Sequence, residues 1–213
     1  MLWLTLVTLL IGAYLLGSLP TGYVVAKAVK GIDIRQYGSG NTGATNVFRV
    51  VGKGAGVAVL VIDVLKGAAA VLLTHLLTQQ WLLTHAISTS SQAWLITLAG
   101  LLALLGHSRS IWLKFAGGKS AATGCGVLLA LTWPIGLATA GVFGLVLSLS
   151  RTVSLSSMLA AVAAAGLMIL THQPLPFCLL ALAGGSYIIL RHRSNIQRLL
   201  AGTEPKIGMK QTQ

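Results

Sequence analysis

Acid is scarce in this chain: Asp33, Asp63 and Glu204 are its only three acidic residues among 213. Cages of several carboxylates, such as those that hold magnesium for phosphoryl chemistry, cannot be built from so few. Cysteine is scarcer still. Cys125 and Cys178 sit singly in apolar runs, without metal-ligand spacing or a disulfide framework, and read as packing residues. Charge of any sign amounts to 8% of the chain, against 55% hydrophobic residues and a mean hydropathy of +0.84, so a soluble domain is excluded.

What is present is long apolar sequence. Leu2 to Ala26, Gly67 to Ser108, Ser120 to Ser150 and Thr152 to Leu190 contain no Asp, Glu, Lys or Arg, and one bilayer crossing takes about 20 apolar residues. The first stretch has no basic residue before it and no cleavage site after it, so it is expected to stay as a helix rather than be removed as a signal peptide. A net charge of +12 would suggest nucleic acid in a soluble protein. In a membrane protein it follows from the preference of Lys and Arg for cytoplasmic loops, and no nucleic-acid partner is implied.

Placing all fifteen Lys and Arg on one side predicts an all-α, polytopic transmembrane bundle of about seven helices. The N-terminus is outside, the C-terminus is cytoplasmic, and residues 1–213 form a single integral-membrane domain. The crossings are Trp3 to Val25, Ala55 to Leu77, Trp94 to Gly106, two short ones within Ser120 to Ser150 that turn at Trp133-Pro134, Leu155 to Leu170, and Leu175 to Leu190. A five-helix version, with Ser120 to Ser150 dipping in and out, keeps the same sidedness. His75, His85 and His172 fall at outer ends and read as incidental. The basic segments Lys27 to Lys53 and Arg191 to Lys210 are inside, as are His107 and His192.

Four inside segments are rich in hydrogen-bond donors. Gly38-Ser39-Gly40-Asn41-Thr42-Gly43-Ala44-Thr45-Asn46-Val47-Phe48-Arg49 combines glycines, which turn backbone amides inward, with neutral donors and a guanidinium that forks onto phosphate. Gly117-Gly118-Lys119-Ser120 leads into a helix start, where amides and dipole favour an anion. It is not a nucleotide P-loop: the first glycine that spacing requires falls on Leu113, and no strand precedes it. Arg151 to Ser157, with Ser154, and Arg191-His192-Arg193-Ser194-Asn195 add further donors. Together these describe a site for one or two phosphates. Asp63 and Lys66, one helical turn apart and some way into the membrane, either neutralise each other or fix Arg49 or Lys119.

The reaction is narrowed further by what is missing. No histidine has an Asp in the His-x4-Asp spacing of acyl-CoA-dependent acyltransferases; the fifth residues are Gln80, Ser90, Trp112, Phe177 and Gln197. Chemistry without a metal needs an activated substrate.

These motifs resemble the bacterial acyl-phosphate-dependent glycerol-3-phosphate acyltransferases, the PlsY family. The resemblance covers nearly the whole chain. It rests on Gly17-Ser18-Leu19-Pro20-Thr21-Gly22, on Gly38 to Arg49 with Gly52-Lys53, on Asp63-Val64-Leu65-Lys66-Gly67, on Gly106-His107, on Gly117-Gly118-Lys119, on Val153 to Ser157, and on His192 to Glu204. It implies transfer of a fatty acyl chain from acyl phosphate to the 1-hydroxyl of glycerol 3-phosphate at the cytoplasmic face of the inner (plasma) membrane, giving lysophosphatidic acid and phosphate. No cofactor, metal or obligate protein partner is implied; the partners are the two substrates and membrane lipid. By motif position Ser39, Arg49, Lys119, Ser157, His192 and Asn195 are the catalytic candidates. Asn41, Thr45, Asn46, Gly117, Gly118, Lys119 and Ser154 are the substrate and phosphate contacts, with Asp63, Lys66 and His107 in support. The chain departs from the family pattern at Ser110, where proline is usual, and at Ser120-Ala121, where Gly-Val is usual. The alternative from another class is a transporter of organic phosphate or another anion. That reading predicts polar residues near the midplane and inverted repeats, whereas the polar groups here gather at one face.

Overall fold

A computed structural model describes residues 2–84 and 87–208. His85 and Lys210 lie outside the described residues. Two compact units are distinguished within the chain, residues 1–132 and 133–213.

The first unit is built on α1 (Leu2–Ser18), α2 (Thr21–Lys30), α3 (Ala44–Val50), α4 (Lys53–Leu83), α5 (Thr89–Ser108) and α6 (Ala121–Leu131). The first crossing, expected from Trp3 to Val25, is one apolar span, Trp3–Lys30, whose helix is interrupted at Leu19-Pro20. Proline has no N–H to continue the ladder, and Leu19 N turns back to Leu16 O instead. The outer loop expected from Thr78 to Gln92 is also mostly helical. Its polar side chains are used between α4 and α5, where Gln92 Nε2 donates to Thr78 Oγ1 at 3.1 Å and to Gln79 Oε1 at 3.3 Å.

Small residues let these helices approach closely, as is usual where lipid replaces water. Ala13, Ala70, Ala99 and Ala103 form a buried cluster. A methyl group added at Gly17 would lie 2.2 Å from Ala103 O, and one at Gly106 would lie 2.3 Å from Tyr14 O, so α1 and α5 touch backbone to backbone. Gly67 and Gly126 do the same for α4 and α6, against Thr123 O and Val64 O. Those contacts place the start of α6 beside the Asp63–Lys66 turn of α4.

The second unit contains α7 (Trp133–Ser150), α8 (Val153–Leu170), α9 (Leu175–Arg191) and α10 (Arg193–Leu200). Alanines 160, 161 and 164 of α8 and Leu180 and Ala181 of α9 are buried, while Leu145, Leu149, Leu159 and Leu182 point outward.

Among the described residues, five stretches are long and apolar enough to cross a membrane, or six if α9 and α10, bent by 59°, count as one. The protein is an all-helical, multi-pass membrane protein. α6 is the seventh apolar helix, and its eleven residues reach ~16 Å at 1.5 Å per residue, about half of a ~30 Å hydrocarbon core.

Candidate active site

In the first unit the loop between α2 and α4 is organised around one buried side chain. Asn46, 3% exposed, donates through Nδ2 to Tyr37 O at 3.0 Å and Asn41 O at 2.9 Å, with Ile34 O at 3.4 Å, and accepts from Ser39 N at 3.0 Å. Its amide is spent on shaping the loop. Gly38 and Gly40, at φ of 59° and 68°, make the tight turn that leaves Ser39 exposed. Asn41 Oδ1 accepts from Gly43 N at 2.8 Å, and its Nδ2 reaches Gly117 O at 3.5 Å. That last, long contact brings the two glycine-rich loops together. Thr45 and Arg49, four residues apart on α3, share one helix face.

A buried polar cluster joins three helices, α2, α4 and α5, at the break between α1 and α2. Lys66 Nζ is 2.8 Å from Asp63 Oδ1 and donates to Leu19 O at 2.9 Å, a carbonyl made available by the Pro20 break. Thr21 Oγ1 donates to the same Asp63 oxygen at 2.5 Å, and His107 Nδ1 lies 3.5 Å from it. All three ionisable side chains are buried. Asp63 and Lys66 are thus paired with each other, and the cluster extends through His107 toward the second loop, where Gly118 N donates to His107 O at 3.1 Å.

The second loop is held at both ends by serines. Ser110 Oγ donates to Ser18 O at 2.6 Å, and Ser120 Oγ donates to Leu104 O at 2.7 Å. Ser110 and Ser120, with Ala121, are the residues at which the sequence departs from the pattern the resemblance implies. Ser120 is also left-handed, with φ 65° and ψ 8°. Gly117, Gly118 and Lys119 run between these ties toward α6.

In the second unit the predicted residues gather on a carboxylate to which the sequence reading gave no role. Glu204 Oε1 accepts from Ser154 Oγ at 2.7 Å and Asn195 Nδ2 at 2.5 Å, and Oε2 accepts from Arg198 Nε at 2.7 Å. Burial pushes this carboxyl up, but the three hydrogen bonds outweigh it and hold Glu204 below the usual carboxylate range. Ile207 N donates to Arg151 O at 2.8 Å, which ties the tail to the start of α8 as well. Ser157 Oγ is turned onto its own helix at Val153 O, 2.9 Å away. His192 is buried, with Nδ1 2.8 Å from Ile188 O. A carbonyl can only accept, so this contact places a proton on Nδ1.

The sequence profile described as glycerol-3-phosphate acyltransferase matches residues 7–202. The chain belongs to the glycerol-3-phosphate acyltransferase family. It is 56% identical over 217 residues to the glycerol-3-phosphate acyltransferase of Trichormus variabilis, covering 99% of this chain and 96% of that one. It is equally close to the protein of that name from a Synechococcus species, with 99% and 98% covered. Crystal structures of PlsY (YgiH), an integral membrane glycerol 3-phosphate acyltransferase, share 38% identity with it. They superpose with TM-scores of 0.84 in the glycerol 3-phosphate form and 0.82 in the lysophosphatidic acid form, over 96% of each chain. Family membership therefore covers both units, including the Glu204 cluster just beyond the end of the profile match.

Proposed function

We propose that this protein transfers a fatty acyl group from acyl phosphate to the 1-hydroxyl of sn-glycerol 3-phosphate, giving lysophosphatidic acid and inorganic phosphate. The observation that carries this reading is the meeting of two donor-rich glycine loops at Asn41 and Gly117, in a chain of this family. Acyl phosphate is a mixed anhydride with a good leaving group. The hydroxyl oxygen attacks the acyl carbon, the bond from that carbon to the phosphate oxygen breaks, and the hydroxyl proton leaves with the phosphate.

What remains for the protein is to align two anionic headgroups and to stabilise developing charge. Arg49 and Lys119 supply positive charge. Ser39, Thr45 and the backbone amides of Gly117 and Gly118 supply neutral donors, with Asn41 and Asn46 fixing the loop that presents them. Ser157, His192 and Asn195 take part by their motif positions, Ser154 and Asn195 being oriented by Glu204. The acyl tail stays among the membrane-spanning helices. The reaction occurs at the cytoplasmic face of the inner membrane, where the basic segments lie, and needs no metal or acyl-CoA.

The test is release of phosphate from long-chain acyl phosphate by purified protein, with and without glycerol 3-phosphate and in the presence of chelator. Release that depends on glycerol 3-phosphate, with lysophosphatidic acid formed in equal amount and none from acyl-CoA, is expected. Dependence on added magnesium, or equal use of acyl-CoA, overturns the mechanism.

A further inference from the structure

Gly118 is pressed against a histidine ring. A Cβ added there would lie 2.0 Å from His107 Nε2, 2.8 Å from Cε1 and 2.9 Å from Cδ2. At Gly117 the corresponding atom would meet backbone instead, with His107 O at 2.3 Å and Ser108 C at 2.9 Å. The loop therefore rests on His107 twice, through its carbonyl and through its ring. On the other side of the ring, Nδ1 is 3.5 Å from Asp63 Oδ1, and Asp63 is itself held by Lys66 and Thr21. Lys66 is anchored in turn on Leu19 O, at the helix break made by Pro20.

A buried ion pair, 3% and 1% exposed at its two side chains, is costly to place in a membrane. Its position, directly behind a ring that faces a glycine loop, gives that cost a purpose. The pair lies against one side of the ring, and the loop lies against the other.

We propose that His107 is a positioning residue for glycerol 3-phosphate: braced by the Asp63–Lys66 pair, its imidazole sets the height of Gly118 and so the aim of the Gly117 to Lys119 amides. This rests on the reading of that loop as a contact for glycerol 3-phosphate. In this role His107 acts through the loop and is not itself a substrate contact. Its effect belongs in the KM for glycerol 3-phosphate, with the KM for acyl phosphate left within about twofold, since the support lies under one loop only.

The decisive measurement is a double-mutant cycle between the ring and the methyl group that would strike it. His107→Ala and Gly118→Ala are each expected to raise the KM for glycerol 3-phosphate about fivefold or more, a normal size for the coupling of touching residues. The combined variant is expected to recover most of the Gly118→Ala defect, because the methyl then occupies space the ring has left. Gly117→Ala is the control. Its methyl meets a backbone carbonyl that stays in place, so His107→Ala does not rescue it.

His107→Gln, whose amide reaches the position of Nε2, is expected to lie closer to wild type than His107→Ala. His107→Ser enters the cycle if the alanine variant does not accumulate as folded protein. Strict additivity of ring and methyl, or losses shared equally between the two substrates, sinks the proposal. Lys119→Ala separates that failure from a failure of the loop assignment: if it leaves kinetics with glycerol 3-phosphate unchanged, the loop itself has been misassigned.

Discussion

Ser120 offers the sharpest test of the loop geometry, because two opposing effects meet at one small side chain. Its left-handed backbone, at φ 65°, costs an L-residue about 1–2 kcal/mol relative to glycine. Glycine loses ~0.4–1 kcal/mol of that advantage through the freedom it adds to the unfolded chain. The hydroxyl bond to Leu104 O, at 2.7 Å and fully buried, contributes about 0.5–1.5 kcal/mol. Leu104 O also accepts from Ser108 Oγ at 3.0 Å, so it is not orphaned when Ser120 is truncated.

Ser120→Gly therefore exchanges a hydrogen bond for relief of strain and ends near wild type. Ser120→Ala keeps the strain and loses the bond, a net cost of about 1 kcal/mol, or roughly 2–4 °C in melting temperature for a chain of this size. The expected order is Gly close to Ser, with Ala below both. Ordinary helix-start preference gives Ser the advantage over Gly and leaves strain out, but here Ser120 makes no capping bond to its own helix. The assay is thermal unfolding of the three purified proteins in one detergent. An alanine variant as stable as the glycine one shows that residue 120 is not left-handed, and the geometry of the loop falls with it.

Four further outcomes follow from the site. Arg49→Ala and Lys119→Ala should each lower turnover by roughly 10² to 10³, as loss of one preorganised charge-stabilising group does, and Lys119→Arg should not restore it fully because a forked guanidinium fits a point-charge site poorly; near-normal rates in a folded alanine variant misplace the site. His192→Gln should keep substantially more activity than His192→Ala if a donor phosphate oxygen takes the proton, whereas equal losses together with loss of a rate limb near pH 6–7 make His192 the base. Glu204 is held below its ordinary value of 4.5, so the stability it confers is present above that pH and lost as pH falls through the lower folded value; protease sensitivity of the tail should rise there in wild type, and Glu204→Gln should be sensitive at neutral pH. Single cysteines at Ser90 and Gln173 should react with an impermeant reagent from outside intact cells and one at Thr42 should not, and labelling at Thr42 reverses the orientation.

The helices were legible because lipid demands long charge-free runs, and the four such runs bound most of the helical spans observed. Their ends were not. Thr78, Gln79 and Gln92 look like loop residues in sequence, yet they continue α4 and α5 because their side chains satisfy one another between the helices. The break at Pro20 was equally hidden, since proline is tolerated within membrane helices when neighbours take up the freed groups. Here the neighbour is Lys66, 47 positions along the chain, and no local pattern announces it.

The candidate site was legible as a set of donors but not as an architecture. Glycines, hydroxyls and basic residues point to phosphate wherever they cluster, so Ser39, Arg49 and Lys119 stood out from the sequence alone. Asn46 stood out for the same reason, although its amide is used within the loop. An amide in sequence does not declare whether its partner is substrate or backbone. Glu204 had a weaker signature that is still physical. In a chain with fifteen Lys and Arg and three acids, a carboxylate that lies at a membrane-protein terminus and is only 6% exposed at its side chain needs several donors to remain ionised. Arg198 six residues earlier was one visible partner. Ser154, fifty residues away, could be supplied only by the fold, and it is that bond which makes the C-terminal segment part of the α8 start rather than a basic tail.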